Sequence, residues 1–455
     1  MPAFILTKLA VSLLIPLLMG FILLKRLFYK TPLPVLPALA LGYGLGLGIL
    51  SQWMLLLGIL KIEYNVATIA VPLVLFTFVV NYFLNRKQKK TVSPIETRTT
   101  DKGKIDWIAI VLLIYVAYYV IYVFWWALSV PVFSWDALAT IAFKAKVFFY
   151  ERLLPDLRNL PHSSYPLHVP FVETWIALNL GEWNDRLIQI VFPLTFLAFL
   201  VIVHYFLREF TNRRWSLFGV GLLVSANFFI VHAMISYRDF FLMYYNCTTI
   251  MLLLLWDRKK ERAFLFLAGL FAGFTTFVKL EGTAYLLIQT ILFFWILSTS
   301  GQKQRKNVFL FLLPAIGVVL VFYLHKWNLG IKGEHFGIHL SFENIQRLPL
   351  IAKKFLQDLF FSGNWNLLWW ILGVSFFINT GKIKKCREVR LLALSLFLFF
   401  GFYFLFALLL PYSDLNLLLG LEAKGALSRV NLHFFPLTIP AVILLNYPEN
   451  PAATP

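Results

Sequence analysis

The chain has 455 residues, of which 60% are hydrophobic and only 14% are charged, and its mean hydropathy is +0.76. A soluble domain is about 25% charged, so this composition excludes an ordinary soluble enzyme, a disordered chain and, with two cysteines, a disulfide scaffold. Lys and Arg outnumber Asp and Glu by 41 to 22, which gives a net charge of +19. The apolar residues come in runs of roughly 20, a length that crosses a bilayer. The sequence therefore predicts an all-α polytopic membrane protein.

About 13 apolar segments are predicted to be transmembrane helices, because continuous apolar runs satisfy their backbone in lipid as helices. The segments are 4–24, 34–59, 65–84, 106–129, 186–207, 215–234, 240–256, 263–278, 282–299, 308–325, 365–380, 391–410 and 431–446. The first run has neither a preceding basic region nor a small-residue cleavage site, which favours a retained anchor over a signal peptide. We predict a three-helix membrane module with a basic cytoplasmic loop in residues 1–105 and a larger membrane domain in residues 106–455.

The charged residues sort by the side on which each loop lies. Alternate loops carry 25 cations and 8 acids on one side against 14 of each on the other, and two cations lie in span ends. Because Lys and Arg accumulate in cytoplasmic loops, we place the N-terminus outside and the C-terminus in the cytoplasm of a plasma (inner) membrane protein. The long loops 130–185, 326–364 and 411–430 are then extracytoplasmic, where we expect the working face. Short, scattered basic loops indicate topology and no nucleic-acid partner.

Asp136 follows the fourth predicted span in an aromatic and apolar setting. Ser134 or Asp136 can cap a helix beginning near Ala137. That helix, up to Arg152, is too short to span and is predicted to lie on the outer leaflet, as is a second one over 171–180. Alternatively, Asp136 is a general base, because a carboxylate near a membrane surface is partly desolvated and more basic.

Further charged residues fall at the outer ends of other predicted spans. They are Arg238 and Asp239, Lys279 and Glu281, and Arg429. Polar turn tips or snorkelling anchors explain each of them singly. However, charges at membrane depth are costly and are usually paired or functional. The three cations together suit a phosphate at headgroup level.

Two other motifs bear on ligands. His335 and His339 have the spacing of metal ligands in a helix, but Gly337 lies between them, so a divalent metal stays an open alternative and we assign no metal ligand. The run from Gly42 to Gly48 lies inside the second span. There it favours close helix approach over nucleotide binding.

Over residues 106–445 the chain resembles the GT-C superfamily of polytopic glycosyltransferases, and in particular protein O-mannosyltransferases and lipid A aminoarabinose transferases. The shared pattern is an outer-loop acid, two interfacial helices flanking a Tyr-containing segment, and later charged turns, here Asp136, Tyr165-Pro166-Leu167, Lys279-x-Glu281-Gly282 and Arg429 before a helix with Pro436. Two features depart from it. Ala137 replaces a second acid, and three extra spans precede the catalytic loop.

The resemblance implies sugar transfer from a polyprenyl-phosphate-linked donor to a lipid, glycan or protein acceptor, with Asp136 as general base. The donor phosphate would lie near Arg238, Lys279 or Arg429, and no cofactor is assigned. The substrate-binding candidates are Trp135, Lys144, Lys146, Tyr165, His168, Asp239 and Glu281. The partners would be the donor, the bilayer and an unidentified acceptor. Two alternatives stay open: an O-antigen polymerase or ligase, and a lipid-linked-glycan transporter.

Overall fold

The computed structural model describes residues 3–87, 106–300, 305–332, 342–420 and 426–448. Within these ranges every regular element is a helix and none is a strand. The first six α-helices are α1 (Ala3–Leu27), α2 (Val35–Ile59), α3 (Val66–Lys87), α4 (Trp107–Ser129), α5 (Ala142–Glu151) and α6 (His168–Leu180). A π-helical turn, Ala137–Ile141, leads directly into α5. Helices thus occupy both segments of the first long loop for which they are predicted.

The rest of the chain continues as helices joined mostly by short connections. The next helices are α7 (Val191–Arg208), α8 (Arg213–Val224), α9 (Asn227–Met234), α10 (Arg238–Lys259), α11 (Arg262–Val278), α12 (Gly282–Thr299) and α13 (Arg305–Asn328). After them come α14 (Phe342–Ile345), α15 (Leu348–Phe361), α16 (Leu368–Ile378), α17 (Thr380–Lys385), α18 (Arg387–Leu409), α19 (Tyr412–Leu419), α20 (Leu427–Leu432) and α21 (Thr438–Asn446). Short 3-10 turns lie at Leu157–Asn159, Leu187–Ile190 and Phe435–Leu437.

Every predicted span overlaps an apolar helix, although 215–234 is divided between α8 and α9. In the described ranges, nine helices have the length and composition to cross a membrane, and α8 with α9 would make a tenth if counted together across their 73° bend. The other three are 10–17 residues long: Arg262–Val278, Leu368–Ile378 and Phe435–Asn446. An all-helical fold is therefore confirmed for the described residues, its apolar helices are compatible with a polytopic membrane protein, and a total of 13 crossings stays a prediction.

Glycines allow α2 to pack closely on two neighbours. A Cβ atom on Gly46 would lie 1.9 Å from the carbonyl oxygen of Pro16 in α1. A Cβ atom on Gly44 would lie 2.4 Å from the hydroxyl of Tyr244 in α10. The close helix approach predicted for the run Gly42 to Gly48 is confirmed.

The two ends of α10 carry separate polar contacts. Asp239 is the second residue of α10. Asp257 lies two residues before its last residue and forms an ion pair with Arg387 of α18 at 2.5 Å. Arg387 also donates to the carbonyl oxygen of Thr299 at the end of α12, at 3.0 Å. At about 1.5 Å per residue, Asp239 and Asp257 lie roughly 27 Å apart along the axis. The distance between the two acids is therefore close to the thickness of a bilayer core.

Candidate functional site

Charged side chains from distant parts of the sequence meet at one end of the helices. Arg429 in α20 contacts two carboxylates, with its Nη1 atom 2.6 Å from Oδ2 of Asp136 and its Nη2 atom 2.9 Å from Oδ2 of Asp239. The Nζ atom of Lys279 lies 3.0 Å from Oδ1 of Asp239 and 2.8 Å from Oε1 of Glu281. We call these five residues the ion-pair cluster. The structure thus joins five residues that the sequence analysis singled out separately.

Asp239 is the buried centre of the ion-pair cluster, with 1% of its side chain exposed. Its Oδ1 atom contacts Lys279 and also Nε2 of His433, at 2.9 Å, while Oδ2 contacts Arg429. On the other side of the His433 ring, Nδ1 lies 2.6 Å from the hydroxyl of Tyr285. Asp239 therefore holds three nitrogen-bearing side chains in fixed positions.

The turn between α11 and α12 places Lys279 beside Glu281. α11 ends at Val278, and Gly282 donates its N–H to the carbonyl oxygen of Lys279 at 3.0 Å. A Cβ atom on Gly282 would lie 2.1 Å from the carbonyl oxygen of Thr275, so the turn requires glycine there. The predicted break of residues 263–299 into two helices is confirmed.

Lys279 remains charged in this setting. Burial lowers the pKa of its amine, but the carboxylates of Asp239 and Glu281 raise it by more, so the pKa lies above its ordinary value. An ammonium group between two acids is stable here because both partners lie within hydrogen-bonding distance.

Asp136 is one of two partly exposed acids of the ion-pair cluster, with Glu281. Its side chain makes no capping hydrogen bond to the helix that follows, so the prediction that Asp136 serves as a cap is wrong. The carboxylate instead faces Arg429 with 35% of the side chain exposed, and Trp135 beside it is 78% exposed. Glu281 and Arg429 are nearly as exposed, at 29% and 27%, whereas Asp239 is buried.

Arg238 lies beside the ion-pair cluster and has different partners. Its Nη2 atom donates to Oγ1 of Thr140, at 3.0 Å, in the π-helical turn after Asp136. Its guanidinium carbon is 4.7 Å from the centre of the Tyr165 ring, a cation–π distance. Arg238 thus connects the start of α10 to two points of the first long loop: the turn after Asp136 and the segment that contains Tyr165.

Two buried lysines hold the segment that precedes and includes Tyr165. Lys144 of α5 donates to the carbonyl oxygen of His162 at 2.7 Å, and its Nζ atom lies 6.0 Å from the Tyr165 ring centre. Lys326 at the end of α13 donates to the carbonyl oxygen of Ser164 at 3.0 Å. These contacts fix the position of the Tyr165 ring over Arg238.

Two of the predicted substrate-binding residues, His168 and Lys146, contact residues outside the ion-pair cluster. His168 is fully buried, with Nδ1 2.7 Å from the hydroxyl of Ser51 and Nε2 3.5 Å from that of Tyr245. These contacts place it between α6, α2 and α10. Lys146 is exposed and lies 5.8 Å from the ring centre of Trp183. Residues two apart on a helix face different ways, which is why Lys144 points inward and Lys146 outward.

Glu173 of α6 is a buried acid that the sequence analysis missed. It is fully buried and accepts a hydrogen bond from the hydroxyl of Ser236, two residues before α10. Burial raises the pKa of its carboxyl to about 8, although the Ser236 hydroxyl and the charge of Arg238 lower it. Its being the single acid of α6 was the one sequence signal available for it.

A metal centre finds no support in the part of the chain that the structure describes, where His, Cys, Asp and Glu form no group of three that could hold a metal ion. His335 and His339 lie outside the described residues.

Comparisons of the chain with family models, with curated proteins and with solved structures find no significant match.

Proposed function

We propose that this protein is a glycosyltransferase that moves a sugar from a polyprenyl-phosphate-linked donor to an acceptor at the extracytoplasmic membrane face. The observation that carries the proposal is the contact of the accessible carboxylate of Asp136 with Arg429, which also reaches the buried Asp239. A base next to a cation suited to phosphate is the combination that this transfer requires.

In the proposed reaction, Asp136 takes the proton from an acceptor hydroxyl. The acceptor oxygen forms a bond to the anomeric carbon of the sugar while the bond from that carbon to the phosphate oxygen breaks. The electron pair of the broken bond leaves with polyprenyl phosphate, and the configuration at the anomeric carbon inverts. Polyprenyl phosphate is a good leaving group, so the reaction needs no strong general acid.

The cations of the site would stabilise the negative charge of the phosphate. Arg429 is paired with two carboxylates in the structure, so an incoming phosphate competes for its guanidinium. Movement of Arg429 toward the phosphate frees Asp136 to act as a base. Asp239 retains Lys279 and His433 when Arg429 moves, which keeps the buried side of the site intact.

The position of the ion-pair cluster favours an enzyme over a transporter. Asp239 is the second residue of α10, Lys279 directly follows α11, and Glu281 directly precedes α12. Transporters place their charged sites near the bilayer midplane, often in interrupted helices. Charges at helix ends instead suit the headgroup phosphate of a lipid-linked donor.

A transfer assay tests the proposal. Purified protein in lipid nanodiscs is given a panel of radiolabelled polyprenyl-phosphate sugars and a crude membrane acceptor. We expect transfer by the wild type and a loss of about 100-fold or more in Asp136→Asn, the contribution typical of a general base. Asp156→Asn is the matched control, because Asp156 lies in the same loop and pairs locally with Arg158; it should retain activity.

Two results would count against the proposal in different ways. Undiminished transfer by Asp136→Asn would remove the base assignment. Absence of transfer with every donor, together with flux of a lipid-linked glycan across liposomes, would favour the transporter.

A further inference from the structure

Asp358 in α15 holds α20 at positions on both sides of Arg429. Its Oδ1 atom accepts a hydrogen bond from the hydroxyl of Ser428, the residue before Arg429. Its Oδ2 atom accepts from Nδ2 of Asn431, two residues after Arg429, at 2.6 Å, and from Nε1 of Trp365 at 3.2 Å. One carboxylate thus accepts three hydrogen bonds, two of them from the helical turn that carries Arg429.

This connection is largely buried, although Asp358 and Ser428 also line an open cavity. Asp358 is 9% exposed, and Asn431 and Trp365 are almost fully buried. The Trp365 ring packs on the ring of Phe435, with 4.6 Å between their centres. Buried groups of this kind are costly to leave without a hydrogen-bonding partner, so the carboxylate constrains α20 strongly.

α20 needs such a constraint because it is short. It contains six residues, and the residue before it provides no side-chain cap. An isolated helix of this length is not stable in water. Arg429 nevertheless has to lie within hydrogen-bonding distance of both Asp136 and Asp239, as it does in the structure.

We propose that Asp358 is a positioning residue that holds Arg429 in the geometry that binds the donor phosphate, an inference that rests on the proposed function. Asp358 acts by accepting hydrogen bonds and not by its charge. Its substitution therefore affects phosphate binding only through Arg429.

Two substitutions separate these roles. Asp358→Ala removes the acceptor for three donors. In Asp358→Asn the side-chain oxygen still accepts from Asn431 and Trp365, and the amide donates to the hydroxyl oxygen of Ser428. A hydrogen-bonding role therefore predicts a large effect for Ala and a small one for Asn, whereas a charge role predicts equal effects.

The first measurement is the affinity of the full-length protein in nanodiscs for a short-chain polyprenyl phosphate. We expect about tenfold weaker binding for Asp358→Ala, which corresponds to about 1.4 kcal/mol, and less than about threefold for Asp358→Asn. In an Arg429→Ala background, Asp358→Ala should have no further effect. Asp414→Ala, which removes an acid from neighbouring α19, is the matched control and should bind as the wild type does.

The second measurement is hydrogen exchange of the backbone amides of residues 427–432, which does not depend on any substrate. Asp358→Ala should speed this exchange and Asp414→Ala should not. If Asp358→Ala does not fold, Ser428→Ala removes one of the three donors alone and should give a smaller increase of exchange and a smaller loss of affinity.

Three results would overturn the inference: equal losses in Asp358→Asn and Asp358→Ala, additive losses from Asp358→Ala and Arg429→Ala, or unchanged exchange in α20. A fourth result separates the two proposals. Faster exchange in Asp358→Ala would support the conclusion that Asp358 fixes the position of α20, while no binding of polyprenyl phosphate by the wild type would overturn the proposed function.

Discussion

Asp239 is the residue on which the order of the ion-pair cluster depends. An asparagine there cannot neutralise Lys279 and Arg429, and it leaves both partly buried and less well paired. Breaking a buried pair in this way costs roughly 3–5 kcal/mol, so we expect Asp239→Asn to lower the free energy of unfolding by about that amount. Denaturation followed in detergent micelles measures it, with Asp156→Asn as an unchanged control. Equal stability of Asp239→Asn and the wild type would contradict this account.

Glu173 predicts how stability depends on pH. Burial raises the pKa of its carboxyl to about 8 in the folded protein, against 4.5 for the ordinary group. The folded state therefore binds the proton more tightly than the unfolded state does. The resulting stabilisation is complete below about pH 4.5 and is lost as the pH rises to about 8.

Glu173→Gln should remove this pH dependence. We expect the wild type to lose thermal stability between pH 5 and pH 8.5 relative to Glu173→Gln, which cannot ionise at this position. Unfolding temperatures of both proteins across this range give the comparison. Parallel curves would contradict this, because they would show that the pKa of Glu173 is not raised in the folded protein.

The sequence indicated which charged residues belong to the candidate site, but not which of them contact each other. Asp136 and Arg429 were identifiable because each is a charge at the end of an apolar run. Their contact was not, because it depends on which helix ends pack together. His433 and Asp358 were missed as site residues for the same reason, since nothing near them in the sequence indicates Asp239 or α20.

At the scale of helices, glycine at a few positions sets how closely α2 packs. A Cβ atom on Gly46 would lie 1.9 Å from a carbonyl oxygen of α1, so Gly46→Ala requires the two backbones to separate. We expect Gly46→Ala to lower the free energy of unfolding by about 1–3 kcal/mol, which is typical of an overpacked core. Gly317→Ala, in α13 with no atom within 4 Å of the added carbon, is the control. Unfolding temperatures in detergent compare the two, and equal values would argue against close packing of α1 on α2.

Helix type and approximate location were predictable from apolar runs, as was the break marked by Lys279 and Glu281, but the bend inside one predicted span was not. The predicted span 215–234 is two helices that meet at 73°. Asn366 donates to the carbonyl oxygen of Ser225 at the junction, and Phe228 donates to that of Asn364 at 3.1 Å. These partners come from a distant part of the chain, so no local pattern around Ser225 signals the bend.

At the scale of the whole molecule, the ion-pair cluster and the Asp257–Arg387 contact lie at opposite ends of α10. We expect a reporter inserted after Arg158 to be extracytoplasmic and one after Lys260 to be cytoplasmic, in accordance with the excess of Lys and Arg in alternate loops. Reporter activity in intact cells measures both. Two reporters on the same side would contradict the topology, and a reversed pair would move the site to the cytoplasmic face.

Long-range packing is the part of the molecule that the sequence does not reveal. The N-terminal helices, in the predicted three-helix module 1–105, contact the rest of the chain, because the Trp175 indole of α6 donates to the carbonyl oxygen of Ser12 at 2.7 Å. The Tyr43 hydroxyl of α2 likewise donates to the carbonyl oxygen of Val191, at 2.9 Å. Contacts between residues more than 100 positions apart leave no periodic signal in either segment.

The most direct measurement of the central claim is the rate at which polyprenyl phosphate is released from a labelled donor in the presence of acceptor, for the wild type and Asp136→Asn. The account predicts that Asp136→Asn releases product at about 1% of the wild-type rate or less. It also predicts that this variant binds polyprenyl phosphate at least as tightly, because Arg429 loses a competing carboxylate. Release by Asp136→Asn at the wild-type rate would contradict the claim.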